Sequence, residues 1–292
     1  MGADVRALWI VGTPFSGSTI AQWLVGRFSK VFVAGEIDRI RAFNMHPHLE
    51  HDPKCYLTSC AFCKAHDLEC PVWTAAMFEE LARSGPSPRI YEALARVTGK
   101  DVILDSSKTP WWYLNVARHP DFREWKGRIA AIHAVRNPFA FAVSFANRTG
   151  QSLEQCVLAW VIINRDALEV VNRSGHFMPV MTLYHNRVLA DPEGVSLTLS
   201  RWMDLGEGRG NAEHHFLGGN VAAFSFRVKE EQTTPHFDAS IEYFSKVDAV
   251  ADDDGRWRSR IDMDMRWRLS SLPGVREMCR QLGIDIDGLI VS

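Results

Sequence analysis

The sequence predicts an α/β fold of three layers, in which a central parallel sheet is flanked on both faces by helices. Two observations favour this fold. Short apolar runs of strand length recur along the 292-residue chain, and amphipathic segments with helical spacing lie between them. That alternation is typical of parallel strands joined by helical crossovers, which cover both faces of the sheet. The strand candidates are residues 7–11, 31–33, 102–104, 129–135 and 179–183.

The first strand candidate leads through a turn into a helix. The apolar run breaks at Gly12, and from Ile20 onward the apolar side chains recur with helical spacing. A glycine-containing turn and the free N–H groups at a helix start together cradle anions. Ser18 and Thr19 add hydroxyl donors at this point. The segment therefore predicts a site for one anionic group.

Polar residues follow the second and third strand candidates. Gly35 and Glu36 come shortly after residues 31–33, and the run from Asp105 to Lys108 follows residues 102–104. Ligands in open α/β sheets bind beyond the carboxyl ends of the strands. Glu36 and Lys108 are therefore candidate site residues, although each by itself is also typical of a solvated surface charge.

A second anion site is predicted where the fourth strand candidate ends. Residues 129–135 run into Arg136, Asn137 and Pro138, and Ser144 follows eight residues after the arginine. A guanidinium at a strand end and a hydroxyl about two turns into the next helix can converge on one anion. The two sites together predict a ligand with anionic groups at both ends.

A long helix is predicted between the fourth and fifth strand candidates. We interpret its apolar side chains as core packing because they recur at helical spacing. They are Leu153, Cys156, Val157, Trp160, Val161, Leu168 and Val171. The chain shows no internal repeat, so we predict one domain over residues 1–292, with an insertion rich in Cys and His around residues 44–73.

Composition and charge exclude several function classes. Hydrophobic residues make up 46% and charged residues 23% of the chain, which is ordinary for a globular protein with one sizeable core. The formal net charge of −2 argues against a surface that binds nucleic acid or is attracted to membranes. The apolar run at residues 7–11 is too short for a signal peptide or a membrane span. We therefore expect no nucleic acid or membrane partner and a cytoplasmic location; the oligomeric state stays open.

The two anion sites resemble the nucleotide-binding signature of sulfotransferases that use 3′-phosphoadenosine 5′-phosphosulfate (PAPS). In that family the first loop grips the 5′-phosphosulfate, and the Arg-Asn-Pro segment with its later serine grips the 3′-phosphate. The resemblance implies a P-loop-type fold, PAPS as donor, adenosine 3′,5′-bisphosphate (PAP) as product, and a small-molecule or carbohydrate acceptor. The residues that it places around the nucleotide are Pro14, Phe15, Ser16, Gly17, Ser18, Thr19, Arg136, Ser144 and Arg227.

The catalytic candidates come from a second part of the same resemblance. Sulfotransferases with a glutamate base, including tyrosylprotein and several carbohydrate enzymes, look similar here, with a Gly-Glu after the second strand and a lysine after the third. By this resemblance Glu36 deprotonates the acceptor hydroxyl or amine, and Lys108 neutralises charge on the transferring sulfuryl or the leaving phosphate. Such an in-line displacement through a loose transition state needs positioning and charge stabilisation but no metal. His185, His214 and His215 are further acid–base candidates.

Two departures from the family pattern leave other functions open. Phe15 stands where relatives usually have a cation that contacts the transferred group, and Ala222 and Ala223 stand where relatives often have an arginine, with Arg227 as the candidate substitute. A nucleotide-binding protein of this fold that has lost catalysis is therefore the second hypothesis. A P-loop small-molecule kinase is the third, although the first loop lacks the Gly-Lys-Ser/Thr of P-loop NTPases.

The insertion carries four cysteines within sixteen residues: Cys55, Cys60, Cys63 and Cys70. Close cysteines with a Cys-x-x-Cys pair fit a zinc site, and the nearby histidines enlarge the choice of ligands. They are His46, His48, His51 and His66. The same pattern, followed by Pro71, Val72 and Trp73, resembles an insertion found in bacterial sulfotransferases of this type. Zinc, a disulfide or reduced-thiol loop, and no special role all stay open, and the segment is predicted to wall the acceptor pocket.

Overall fold

A central sheet of five parallel strands organises the fold. The computed structural model describes residues 5–39, 60, 63, 69–174, 178–208 and 255–291. Its strands are β1 (Arg6–Gly12), β2 (Val31–Gly35), β3 (Val102–Lys108), β4 (Ile129–Val135) and β5 (Val180–Tyr184). They lie in the order β2-β3-β1-β4-β5, and each neighbouring pair is parallel.

Helices connect the strands and cover the sheet. The α-helices of the described ranges are α1 (Ser18–Gly26), α2 (Ala75–Ser84), α3 (Arg89–Thr98), α4 (Pro110–Arg118), α5 (Pro138–Thr149), α6 (Leu153–Ser174), α7 (His185–Ala190), α8 (Pro192–Met203), α9 (Met263–Ser270), α10 (Val275–Gln281) and α11 (Ile286–Val291). Short 3-10 helices span Ile37–Arg39, Pro120–Trp125 and Gly255–Trp257. None of these helices is long and apolar enough to cross a bilayer.

The side chains of β1 alternate between two apolar clusters, one on each face of the sheet. Trp9 and Val11 pack in the cluster that also holds apolar side chains of α2, α3 and α4. Leu8 and Ile10 pack in the cluster formed with α1 and α8. A strand that is buried on both faces reads as a continuous apolar run because neither set of side chains meets water. The predicted fold class, a parallel sheet flanked by helices, is confirmed.

The long helix α6 packs in the core, as its apolar spacing predicts. Its first half contributes Cys156 and Trp160 to a third cluster with α5, α9, α10 and α11. Its second half contributes Ala167 and Val170 to the cluster on one face of the sheet, whereas the predicted Val171 is only partly buried. The helix thereby joins the C-terminal helices to the sheet.

The third strand is longer than its apolar run indicates. β3 continues through Asp105 to Lys108, because its backbone goes on pairing with β1 past a register shift, so that Lys108 lies opposite Val11. Asp105 also pairs with Gly35 of β2. The polar side chains that the sequence places in a loop after this strand therefore belong to the sheet itself.

Candidate active site

The first loop, residues 12–17, connects β1 to α1 and depends on two glycines. Gly12 has φ +149°, and a β-carbon there would lie 2.3 Å from the carbonyl oxygen of Ala134. Gly17 has φ +87°, and a β-carbon there would lie 2.3 Å from Cδ2 of His185. A side chain at either position would clash, so glycine alone allows the loop to pass this close to its neighbours.

The first loop has the features of an anion site. α1 begins at Ser18, and the first N–H groups of a helix have no partner within it. The hydroxyl oxygens of Thr13 and Ser16 are buried and have no hydrogen-bond partner among the described residues. Buried polar groups are normally paired, so a polar ligand in the loop would satisfy both. The loop therefore fits the phosphosulfate group that the resemblance places there.

The Arg136 guanidinium joins the second motif to the first loop. Its Nη1 donates to Oγ of Ser144 at 3.0 Å and to the carbonyl oxygen of Phe15 at 2.8 Å. The backbone around it is fixed, because Asn137 caps α5 by accepting from the N–H of Ala140 at 2.8 Å. Arg136 and Ser144 thus converge, and they do so beside the loop that the sequence proposes for the other anionic group.

Phe15 contributes to this arrangement through its backbone. Its φ of +61° is in the left-handed region, which costs free energy in a residue other than glycine and is typical of functional loops. The resulting turn presents the Phe15 carbonyl to Arg136. The ring is 36% exposed and makes an edge contact with Phe145 of α5 at 6.1 Å between centroids.

Glu36 and Lys108 form an ion pair at the carboxyl ends of β2 and β3. Nζ of Lys108 lies 2.7 Å from Oε1 of Glu36, and Nε of Arg39 lies 2.6 Å from Oε2. Burial acts to raise the pKa of Glu36, but the charges of Lys108 and Arg39 outweigh it and hold the pKa below its ordinary value of 4.5. Lys108 also has a backbone φ of +61°, in the left-handed region that residues other than glycine seldom adopt. The sequence-predicted pair is therefore assembled, with Glu36 ionised.

The buried carboxylate of Asp105 connects the two chain segments that carry the ion pair. Asp105 accepts hydrogen bonds from Tyr91 and Trp112, each at 2.9 Å, and from the N–H and hydroxyl of Ser107 at 2.9 and 2.5 Å. The Ser107 hydroxyl in turn accepts from the N–H of Asp38 at 3.0 Å. Because Asp38 is two residues from Glu36, this network links the turn after β2 to the end of β3.

The pKa of Asp105 provides a test of this network. Burial raises the pKa to about 6 from its ordinary value of 3.8, against the opposing hydrogen bonds of Ser107, Trp112 and Tyr91. At pH values between 3.8 and about 6, Asp105 is ionised in the unfolded chain but protonated in the folded protein. The free energy of unfolding therefore falls as the pH rises through this range, and the loss is complete above about pH 6. Relative to Asp105→Asn, which does not titrate, the wild type should lose about 3 kcal/mol of unfolding free energy between about pH 4 and pH 6. Urea unfolding of both proteins across this pH range measures the difference. Parallel pH profiles of the unfolding free energy would show that the pKa of Asp105 is not raised in the folded protein.

The structure places His185 at the first loop but leaves other candidates undescribed. His185 begins α7, directly after β5, and its ring lies against Gly17. Arg227, His214, His215 and Cys55 lie outside the described residues. His46, His48, His51 and His66 also lie outside the described residues. The described residues predicted to bind the nucleotide or to act in catalysis lie at the carboxyl edge of the sheet or in the helices that follow β1, β4 and β5.

Three residues of this region were missed by the sequence reasoning. Arg39 follows Glu36 at a spacing of three, which is a signal for a pair on one helical turn. Thr13 carries no such signal, since its burial depends on the loop conformation. Asp105 was visible as a carboxylate beside an apolar strand, but its partners Tyr91 and Trp112 come from other elements.

Comparison with known proteins identifies the fold. No protein-family model matches the sequence, and no curated protein matches it. Among solved structures, the sulfotransferase domain from the Synechococcus PCC 7002 olefin synthase superposes with a TM-score of 0.59 at 14% identity, covering 97% of each chain. The chain shares its fold with sulfotransferase domains. The sulfotransferase domain from the curacin biosynthetic pathway gives a TM-score of 0.56, also at 14% identity, covering 96% of this chain and 98% of the other. At this identity the likeness establishes the fold of the chain.

Proposed function

We propose that the protein is a PAPS-dependent sulfotransferase that acts on a hydroxyl or amine of a small-molecule or carbohydrate acceptor. The observation that carries the proposal is the hydrogen bond of Arg136 to both Ser144 and the first loop. It unites the two predicted anion sites. The Glu36–Lys108 pair lies next to the first of these sites, because Lys108 is opposite Val11, the residue that precedes the first loop.

The donor would be held by its charged groups at both ends. The helix start at Ser18 and Thr19, with the buried hydroxyls of Thr13 and Ser16, would hold the phosphosulfate. Arg136 and Ser144 would hold the 3′-phosphate, since a guanidinium and a hydroxyl are matched donors for phosphate oxygens. PAPS supplies an activated sulfuryl group with a good leaving group.

The proton acceptor in this proposal is the ionised carboxylate of Glu36. Glu36 takes the proton of the acceptor hydroxyl as that oxygen bonds to sulfur and the bond between sulfur and the leaving phosphate oxygen breaks. Lys108 neutralises the negative charge that moves onto the leaving group. A weakly basic carboxylate suffices if the transition state is loose, because the attacking hydroxyl then loses its proton late.

The acceptor would approach from the side of the ion pair. Trp111, at the beginning of α4, follows Lys108 by three residues and is 47% exposed. An exposed aromatic face next to a catalytic pair can stack against a flat or sugar-like acceptor. The rings of Trp73 and Trp112, in contrast, are buried within the protein, with each residue 1% exposed.

The second candidate is a nucleotide-binding protein of this fold without catalysis, and Phe15 favours it. No cation stands at this position, and the side chain packs against Phe145. The carbonyl bond to Arg136 does not depend on the side chain at position 15. A protein with Phe15 in place of the usual cation would therefore still bind the nucleotide, but it would lack the cation that fast turnover is expected to need.

Donor choice tests the proposal and separates it from a kinase. PAP at about 100 times its dissociation constant should stabilise the protein by about 2.7 kcal/mol, which is roughly a 5–10 °C rise in Tm for a domain of this size. ATP with Mg²⁺ should have little effect. Release of PAP from PAPS, measured with a panel of phenols, alcohols and sugars, then separates an enzyme from a binding protein. A larger shift with ATP and Mg²⁺ than with PAP would favour the kinase.

A further inference from the structure

Three cysteine thiols that take no part in the proposed transfer reaction meet at one point of the fold. The Sγ atoms of Cys60, Cys63 and Cys70 all lie within 4.8 Å of one another. Cys60 is 1% and Cys63 3% exposed, and Cys70 is half-buried. None of the three is in a disulfide. The remaining described cysteines, Cys156 and Cys279, lie in a different apolar cluster.

The spacing of the three sulfurs fits a metal better than a disulfide. Zn–S bonds of about 2.3 Å in a tetrahedral site place the sulfurs about 3.8 Å apart, which the observed grouping reaches with small adjustments. A disulfide brings two sulfurs to about 2.05 Å and leaves the third without a role. Convergence of all three thiols on one point is the arrangement that a shared ion explains.

Two of the three sulfurs also accept hydrogen bonds from backbone N–H groups. The N–H of Cys63 donates to Sγ of Cys60 at 3.5 Å, and the N–H of Trp73 donates to Sγ of Cys70 at 3.3 Å. In both cases the donor lies three residues after the acceptor. Such hydrogen bonds stabilise the charged form of an acceptor, and surrounding donors of this kind tune metal–thiolate sites.

We propose that Cys60, Cys63 and Cys70 bind a structural Zn²⁺ ion as thiolates. Each thiol releases its proton to solvent as its sulfur donates a lone pair to the metal, and no oxidant takes part. Thiolate ligands select zinc over magnesium or calcium. Three sulfurs leave one tetrahedral position for a further ligand.

The ion would hold Cys60 and Cys63 in place within an apolar cluster that extends to the turn after β2. Cys60 and Cys63 belong to the same apolar cluster as Trp73 and Ile37, and Ile37 follows Glu36 directly. The metal would therefore tie these cysteines to the turn that carries the proposed base. Its role is to hold structure, and it has no part in the transfer chemistry.

Metal analysis of the purified full-length protein tests this site. We expect about one equivalent of zinc per chain, and less than about a tenth of that in Cys63→Ala. The matched controls Cys156→Ala and Cys279→Ala, which also remove a buried thiol, should keep the full equivalent. Wild type in a strong chelator should lose roughly 10 °C in Tm, and added Zn²⁺ should restore it.

Cobalt provides a readout that does not depend on any variant folding. Replacing the metal of the wild-type protein with Co²⁺ should give the visible absorption of tetrahedral cobalt and the near-ultraviolet charge-transfer bands of thiolate ligands. Metal-free protein with an unchanged Tm, or a Cys60–Cys63 disulfide found by thiol titration before and after reduction, would overturn the proposal. Zinc content and PAP binding are independent measurements, so the failure of either inference is visible without the other.

Discussion

Glu36→Gln should lower kcat by about 10²–10⁴-fold, the usual contribution of a general base. Glutamine keeps the volume of the side chain but cannot accept the acceptor's proton. It also replaces one carboxylate oxygen with an NH₂ group that faces Lys108 or Arg39. Turnover of PAPS with a responsive acceptor measures kcat, and calorimetry with PAP measures donor binding, which should change little.

A control variant and a pH profile test whether a loss of kcat in Glu36→Gln is due to loss of the base. Glu80→Gln removes the carboxylate of a comparable ion pair, with Arg96 on the exposed surface, and should leave kcat unchanged. The pH profile of kcat/KM should fall on the acid side below pH 4.5, where the lowered pKa of Glu36 places protonation, and Glu36→Gln should lack that fall. Near-normal turnover would redirect the search for the base to His185, whereas an equal loss of PAP affinity would make Glu36 a residue that supports the nucleotide loop.

Arg136→Ala should weaken PAP binding by about 10- to 150-fold, since a hydrogen bond to a charged group contributes about 1.5–3 kcal/mol. The affinity for adenosine 5′-phosphosulfate should stay nearly the same, because that ligand has no 3′-phosphate. Isothermal calorimetry with both ligands measures the two constants. Equal losses for both ligands would contradict the assignment of Arg136 to the 3′-phosphate.

Ser144→Ala separates phosphate binding from loop support. Arg136 also donates to the Phe15 carbonyl, so its loss could disturb the first loop, whereas the hydroxyl of Ser144 accepts its hydrogen bond from Arg136. Removal of this hydroxyl should weaken PAP by about 3- to 10-fold, in line with one hydrogen bond of about 1 kcal/mol, and should spare adenosine 5′-phosphosulfate. Arg96→Ala, an exposed arginine paired with Glu80, should change neither affinity.

The single-domain organisation, the residue roles and the donor stay predictions. The cysteine pattern is compatible with zinc, with a disulfide or reduced-thiol loop, and with no special role, because spacing along the chain does not say which sulfurs face one another. The grouping of Cys60, Cys63 and Cys70 depends on tertiary packing, since all three belong to or pack against the apolar cluster that contains Trp73.

The sequence by itself determined the parallel sheet and the positions of the two segments that are predicted to bind anions. A strand buried on both faces is a continuous apolar run, and a glycine turn before a helix or an Arg-Asn-Pro before another is local in the chain. Residues 7–11 and 129–135 therefore predict β1 and β4, with a difference of at most one residue at either end.

Only the tertiary structure decided which side chains meet. Glu36 and Lys108 are 72 residues apart in the chain, and the strand order β2-β3-β1 brings their ends together. Asp105 gathers Tyr91 and Trp112 from two helices, and its burial sets its pKa. Such contacts arise from long-range packing and strand order, which the local patterns of the chain do not encode, whereas strands and turns follow from the patterns of neighbouring residues.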